Sequence, residues 1–330
     1  MKERIISPDF IKGLCIILMV YGHITQIGTM ANYQNYVSKV IYTFHMPLFL
    51  IISGYFFHIS TKVKIQVSKI LKKIALPYVI FITLYLIGLT LVSHLDIPTN
   101  STPPTDILSF VAKIFIFSAG SYWFLHSLIL ISLSILLINY LIKDKNSLIF
   151  YVFVILLMVI LERYELVKIR TSTYFLLGYV IKQLTNKNVE ISQRYVLLLI
   201  PISISLYFSK EVFYFSILEV LNCFIIFSIL WYIGKKFKYL KVNKFISYIG
   251  QNTLIILLTH SLFIIMGKVF CHTFLKIDPS GISYSLIITA TTITLSLISS
   301  IIMDKLSISK YLFSVDKIYN ASWLNDNKRV

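Results

Sequence analysis

Negative charge is what this sequence has least of: 14 Asp and Glu stand against 31 Lys and Arg, and charged residues of every kind make up only 14% of the 330. A soluble domain carries nearer a quarter, so a chain this size has too little charge to cover a water-facing surface. Long polar stretches are missing too. The longest run to only about 15–25 residues, too short to fold alone, which excludes a sizeable soluble domain. Cysteine is rare. Cys15, Cys223 and Cys271 lie in or at the end of apolar runs with no CxxC spacing, which argues against a disulfide framework and a metal site. The start, MKERIISPDFIKG, leads into an apolar run without a small-residue cleavage site, so it is expected to be a retained first span rather than a cleaved leader. No internal repeat and no low-complexity segment stands out.

What the sequence has is apolar length. Hydrophobic residues make up 57% and the mean hydropathy is +0.80. Apolar runs of about 20 residues, long enough to cross a hydrocarbon core of about 30 Å, recur along the chain. Ten spans are expected, at 9–27, 39–59, 74–95, 122–142, 147–162, 172–184, 194–208, 213–233, 252–271 and 284–304. Those at 147–162, 172–184 and 194–208 are shorter than a standard span. The run 107–118, ILSFVAKIFIFS, is too short to cross and is expected as a re-entrant or interfacial helix. The fold class is thus an all-α membrane bundle forming one domain.

The formal charge of +17 would suit nucleic acid or an anionic surface, but the basic residues fall between apolar runs, where the positive-inside effect explains most of them. Nucleic acid is therefore not an expected partner; the lipid bilayer is. Placing the N-terminus in the cytoplasm leaves seven basic residues outside: Lys39, Lys113, Arg163, Lys168, Arg170, Lys210 and Lys276. Nearly all the rest fall inside. An even number of spans with both termini cytoplasmic follows, in a cell membrane.

Ionisable residues inside spans are costly and mark function by default. Lys12 and His23 are eleven residues apart on the first span, which puts them on one face and about 16 Å apart along the axis. The bland alternative is a snorkelling lysine and a packed structural histidine. His45 lies at similar depth on the second span, beside Pro47, whose kink frees a carbonyl that can face a cavity. Gly54 permits close helix contact. Trp123 and His126 open the fourth span, where Trp123 alone would serve as an interfacial anchor. His260 is near mid-depth in the ninth. His58, His94 and His272 sit at span ends and call for no function. Glu219 is the one acidic residue well inside a span, about six residues deep in the eighth, and Asn222 shares its face. A carboxylate there needs a partner, expected as an imidazolium or a lysine.

Asp9-x-x-Lys12-Gly13 followed by His23, then Phe44-His45-Met46-Pro47-Leu48-Phe49 with Ser53-Gly54-Tyr55, resembles acyltransferase family 3 of membrane proteins, particularly its bacterial polysaccharide O-acetyltransferases. Trp123-Phe124-Leu125 and Asn252-Thr253-Leu254 leading to His260 are similar to later landmarks. One departure is Lys69-Ile-Leu-Lys72-Lys73 where the family often has an Arg-x-x-Arg pair; lysine holds phosphate as a point charge without the bidentate fork. The resemblance implies transfer of an acyl group, by default acetyl, from cytoplasmic acyl-CoA to a glycan or lipid-linked sugar hydroxyl. Acyl-CoA is then a donor substrate, and neither a permanently bound cofactor nor a metal is expected. Lys12, Lys69, Lys72 and Lys73 would hold the donor phosphates. His23 would act as general base, with His45 or Glu219 orienting it, or as a short-lived acyl carrier. Trp123, His126 and His260 would meet the acceptor. Ten spans with scattered histidines and one buried glutamate would also suit a proton-coupled transporter or flippase for a lipid-linked glycan.

Overall fold

The computed structural model describes residues 6–93, 101–142, 144, 147–184 and 196–320. Of the basic residues expected on the cytoplasmic side, Lys2, Arg4, Lys143, Lys145, Lys187, Arg194, Lys328 and Arg329 lie outside these, as does His94. The described residues form helices and no strand. In order they are α1 (Ile6–His23), α2 (Ala31–Phe56), α3 (Val63–Ile70), α4 (Leu76–Ser93), α5 (Ile107–Phe115), α6 (Trp123–Ile142), α7 (Leu148–Arg163), α8 (Ile169–Leu184), α9 (Leu199–Leu206), α10 (Ile217–Lys236), α11 (Lys241–Gln251), α12 (Thr253–Lys268), α13 (Cys271–Ile277), α14 (Ile282–Lys305) and α15 (Ile308–Phe313).

Six stretches among the described residues are long and apolar enough to cross a bilayer: α1, α2, the continuous Val63–Ser93, the stretch Ile107–Ile142, α10 and α14. A seventh arises if α11 and α12, bent by 80° at Asn252, count as one broken span. The expectation of ten is not met. Helices α7, α8 and α12 have 16 residues each and α9 has 8. Sixteen residues rise only about 24 Å, short of a core of about 30 Å. The short run at 107–118 does form a helix of its own. Asp106 caps it by accepting the Ser109 amide at 2.7 Å, and a 3-10 turn, Gly120–Tyr122, hands the chain to α6. Ile107 and Leu108 are exposed, while Ile114 is buried.

Between helices in lipid there is little hydrophobic driving force, so close packing has to come from small residues. Two reciprocal glycine pairs supply it. A Cβ on Gly13 would overlap the Ile246 carbonyl, and one on Gly250 the Asp9 carbonyl, so α1 lies backbone to backbone on α11. Gly54 and Gly178 stand in the same relation to the carbonyls of Phe175 and Ile51, locking α2 on α8. The closeness expected of Gly54 is thus present. The kink residue behaves differently from expectation. The carbonyl that Pro47 leaves unpaired is that of Thr43, four residues back, and it faces no cavity: the Cys223 thiol of α10 donates to it at 3.3 Å.

The helix through Val63–Ser93 contains a π-helical turn, Leu71–Ala75, in which the Leu76 amide reaches back to the Leu71 carbonyl. Pro77 follows directly and has no amide to donate. The widened turn lets the helix continue past the proline ring and splays Lys72 and Lys73 from it.

Candidate functional site

Two hollows occupy opposite ends of this helix. The first, ≈ 280 Å³, is lined by Lys64, Ile65, Ser68, Lys69, Lys72, Lys73 and Ser314. Three of the four lysines expected to act together therefore meet, joined by Lys64. Lys12 does not join them. It sits on α1, which packs against α10, α11 and α14, and its ammonium pairs with the buried Asp9 at 2.9 Å.

The second hollow, ≈ 300 Å³, gathers His23, Tyr42, Tyr85, Leu89, Ser101, Gly120, Ser121, Ser261, Ile264, Ile265 and Lys268. His23 is the last residue of α1, and its ring lies 5.5 Å from that of His260 and 6.1 Å from that of Tyr42. Tyr42 is held in turn, its hydroxyl donating to the Gly22 carbonyl at 2.8 Å. His260 is fully buried behind the wall. Its Nδ1–H donates to the Ile256 carbonyl at 2.9 Å, which leaves Nε2 as the acceptor of the neutral ring. The Ser261 hydroxyl meets that nitrogen at 3.3 Å and also contacts the Ser121 hydroxyl. Two hydroxyls on the cavity wall are so wired to a buried imidazole that packs on His23.

His45 is one layer further back. Its ring stacks obliquely at 5.1 Å from Tyr42, and Nδ1–H donates to the Ile41 carbonyl at 2.7 Å. Its Nε2 is buried and meets no hydrogen-bond partner among the described residues. The ring between His23 and His45 is thus Tyr42, a residue the sequence did not single out.

Glu219 pairs with neither histidine nor lysine. Its partner is Arg170, which also donates to the Tyr42 carbonyl at 3.3 Å. Helix α10 starts at Ile217, so Glu219 is in its first turn rather than six residues deep. Helix α8 starts at Ile169, which draws Arg170 in from an expected loop. The pattern Ser216-x-x-Glu219 is a helix-start signature that would have fixed the first boundary; the Ser216 hydroxyl does accept the Glu219 amide at 3.1 Å. Trp123 and His126 stand off the cavity. His126 Nε2–H donates to the Phe115 carbonyl at 3.0 Å and pins the end of α5; Trp123 packs at the core edge against Phe124.

A family model described as an acyltransferase domain matches residues 5–301. The chain belongs to acyltransferase family 3. The matched range runs from α1 into α14 and takes in the His23 hollow and, apart from Ser314, the lysine hollow. Two curated proteins are similar over a shorter stretch: nodulation protein NolL of Sinorhizobium fredii, 48% identical over 58 residues, and nodulation protein NolL of Mesorhizobium japonicum, 47% identical over 58 residues. Each match spans 16% of this chain and 16% of the relative. No solved structure matches. In this member of the family, two loops at the end of the bundle bearing the His23 cavity are joined by polar contacts. The loop after α1 donates the Thr29 amide to the Pro279 carbonyl at 2.9 Å. Asp278 organises that second loop, accepting the Ser280 hydroxyl at 2.5 Å and the Ser283 amide at 2.9 Å. Those bonds, the Ser280 hydroxyl first, hold its carboxyl well below the usual carboxylate range. No group of three or more His, Cys, Asp or Glu able to hold a metal occurs among the described residues.

Proposed function

We propose that the protein is a membrane O-acyltransferase. It moves an acyl group, by default acetyl, from acyl-CoA bound at the lysine hollow to a glycan hydroxyl in the His23 cavity. The observation that carries this reading is the His23 cavity itself, an imidazole facing a hydroxyl-lined space, with a lysine cluster at the other end of the same helix. The anionic nucleotide end of the donor suits Lys64, Lys69, Lys72 and Lys73. Its arm then runs along α4 to bring the thioester beside His23.

In the transfer, His23 takes the proton of the acceptor hydroxyl as the oxygen attacks the thioester carbon. The new C–O bond forms, the C–S bond breaks, and the departing thiolate recovers the proton from the imidazolium. Tyr42 and His260 fix the plane of His23 from two sides. Arg170 and Glu219 act on it only through the Tyr42 backbone. The lysine end faces the cytoplasm in this reading, and the His23 end faces the outside of a cell membrane.

The test is His23→Ala, with His23→Gln beside it to retain a polar side chain. A general base contributes about 10²- to 10⁴-fold in rate. Both variants are expected to lose acyl transfer by about that much per mole of monodisperse, detergent-purified protein while reaching the membrane in normal amount. Near wild-type turnover in either would remove His23 from the chemistry. Low abundance with normal specific activity would make it a packing residue.

A further inference from the structure

Hydrogen-bond direction on the wall of the His23 cavity is fixed by one carbonyl. His260 Nδ1–H donates to the Ile256 carbonyl at 2.9 Å, so Nε2 of the neutral ring accepts. The Ser261 hydroxyl, 3.3 Å away, gives its hydrogen to that nitrogen. Its oxygen then accepts from Ser121, whose hydrogen is spent in turn. The Ser121 oxygen, on the cavity wall, is left with lone pairs only. Tyr42 reaches the same state independently, because its hydroxyl donates to the Gly22 carbonyl at 2.8 Å. The two sides of His23, that of Tyr42 and that of the His260 chain, thus each present an oxygen with no hydrogen left to give. The cationic donor on the wall, Lys268, is seven residues beyond Ser261 on α12, about 10 Å along the axis.

We infer that the acceptor is recognised through hydroxyl hydrogens that it donates: a polyol with free hydroxyls beside the position being acylated, one given to Ser121 Oγ and another to Tyr42 Oη, while the reacting hydroxyl gives its own to His23. This rests on the acyl-transfer reading of the same cavity and names its substrate class. An enclosed acceptor that loses its donor is left unpaired. A site built for a hydroxyl therefore rejects the analogue lacking one far more strongly than an apolar pocket rejects a missing methylene. The product is then a poor substrate. A ring already esterified beside the reactive position lacks one of these hydrogens, so neighbouring hydroxyls of one unit are not both acylated.

The competing account has Ser121 and Ser261 only tying the 3-10 turn before α6 to α12, with no influence on what is acylated. The full chain in nanodiscs is given labelled acetyl-CoA and the methyl glycosides of glucose, galactose and mannose, each also with single hydroxyls replaced by hydrogen or by fluorine. Fluorine is close to a hydroxyl in size and accepts weakly, but it has no hydrogen to donate. Wild type is expected to lose about 10- to 100-fold in kcat/KM on a deoxy analogue at a flanking position, and as much on the fluoro one. Ser121→Ala is expected to remove that loss at one flank. Ser261→Ala frees the Ser121 hydrogen to point into the cavity, so the fluoro analogue should gain on the deoxy one. These ratios are internal to each variant, so a smaller folded fraction does not move them. Equal rates on hydroxyl and deoxy acceptors overturn the inference. So do a wild type that takes fluorine as well as hydroxyl, a Ser121→Ala loss uniform across the panel, or products acetylated twice at neighbouring positions. No acetyl transfer to any sugar of the panel overturns the acyl-transfer reading, and the inference with it.

Discussion

The pair Arg170–Glu219 allows a prediction whose size follows from unequal burial. The Glu219 side chain is fully buried, whereas that of Arg170 is 36% exposed. Removing the arginine strands a carboxylate out of reach of water, which costs about 3–5 kcal/mol for a buried pair broken on one side. Removing the carboxylate leaves a guanidinium that reaches solvent and still donates to the Tyr42 carbonyl, at a cost of about 1–2 kcal/mol. Arg170→Met is therefore expected to be the most damaging single change, Glu219→Gln a mild one, and Arg170→Met with Glu219→Leu less damaging than Arg170→Met alone. The assay is the thermal unfolding midpoint of detergent-purified protein, with acyl transfer per folded molecule measured in parallel. Because Arg170 holds the backbone of Tyr42, activity should fall in Arg170→Met beyond the loss of folded protein. Equal midpoint losses for the two single variants, or a double variant as bad as their sum, would refute the argument from burial.

Three further outcomes can be checked. Gly54→Val should lower the unfolding midpoint, since the added atoms meet the Phe175 carbonyl on α8 and overpacking costs about 1–3 kcal/mol; Gly88→Val, with open space around it, should not. Replacing Lys69, Lys72 and Lys73 together by Gln should raise the KM for acyl-CoA more than Lys12→Gln does, because Lys12 is paired to Asp9 apart from that hollow; steady-state kinetics at saturating acceptor gives the ranking. A cysteine placed at Thr105 should react with an impermeant reagent from outside intact cells and one at Lys241 should not, and the reverse pattern would invert the proposed orientation.

The six long spans were legible because about 20 apolar residues in a row admit few other fates. The shorter segments misled for a physical reason. A 16-residue apolar helix has the same local hydropathy whether it crosses lipid or packs against neighbours, as Phe150, Val154 and Met158 of α7 do here. The lysine hollow was legible because Lys69, Lys72 and Lys73 are neighbours in sequence. Lys12 was grouped with them on depth and on the family motif that contains it, although Asp9, three residues before it, already offered a partner. The meeting of His23 with His260 was not legible as a pair, since the two sit on α1 and α12 and only the folded bundle joins them. Tyr42 and Arg170 escaped notice because a span-end tyrosine and a loop arginine look ordinary until the helix boundaries are known.

The helix Val63–Ser93 also works as a ruler. Lys72 and Tyr85 are thirteen residues apart on it, about 20 Å along the axis, and a continuous helix does not let that distance drift. Whatever is anchored by its phosphates at one end has to present its reactive atom at that reach, so length becomes a criterion of selection alongside charge. The π turn sits at the zero mark of the scale. A widened turn can take up or shed a residue's worth of rotation at the lysines while the graduations from Tyr78 to Leu89, buried along one face, stay where the core holds them.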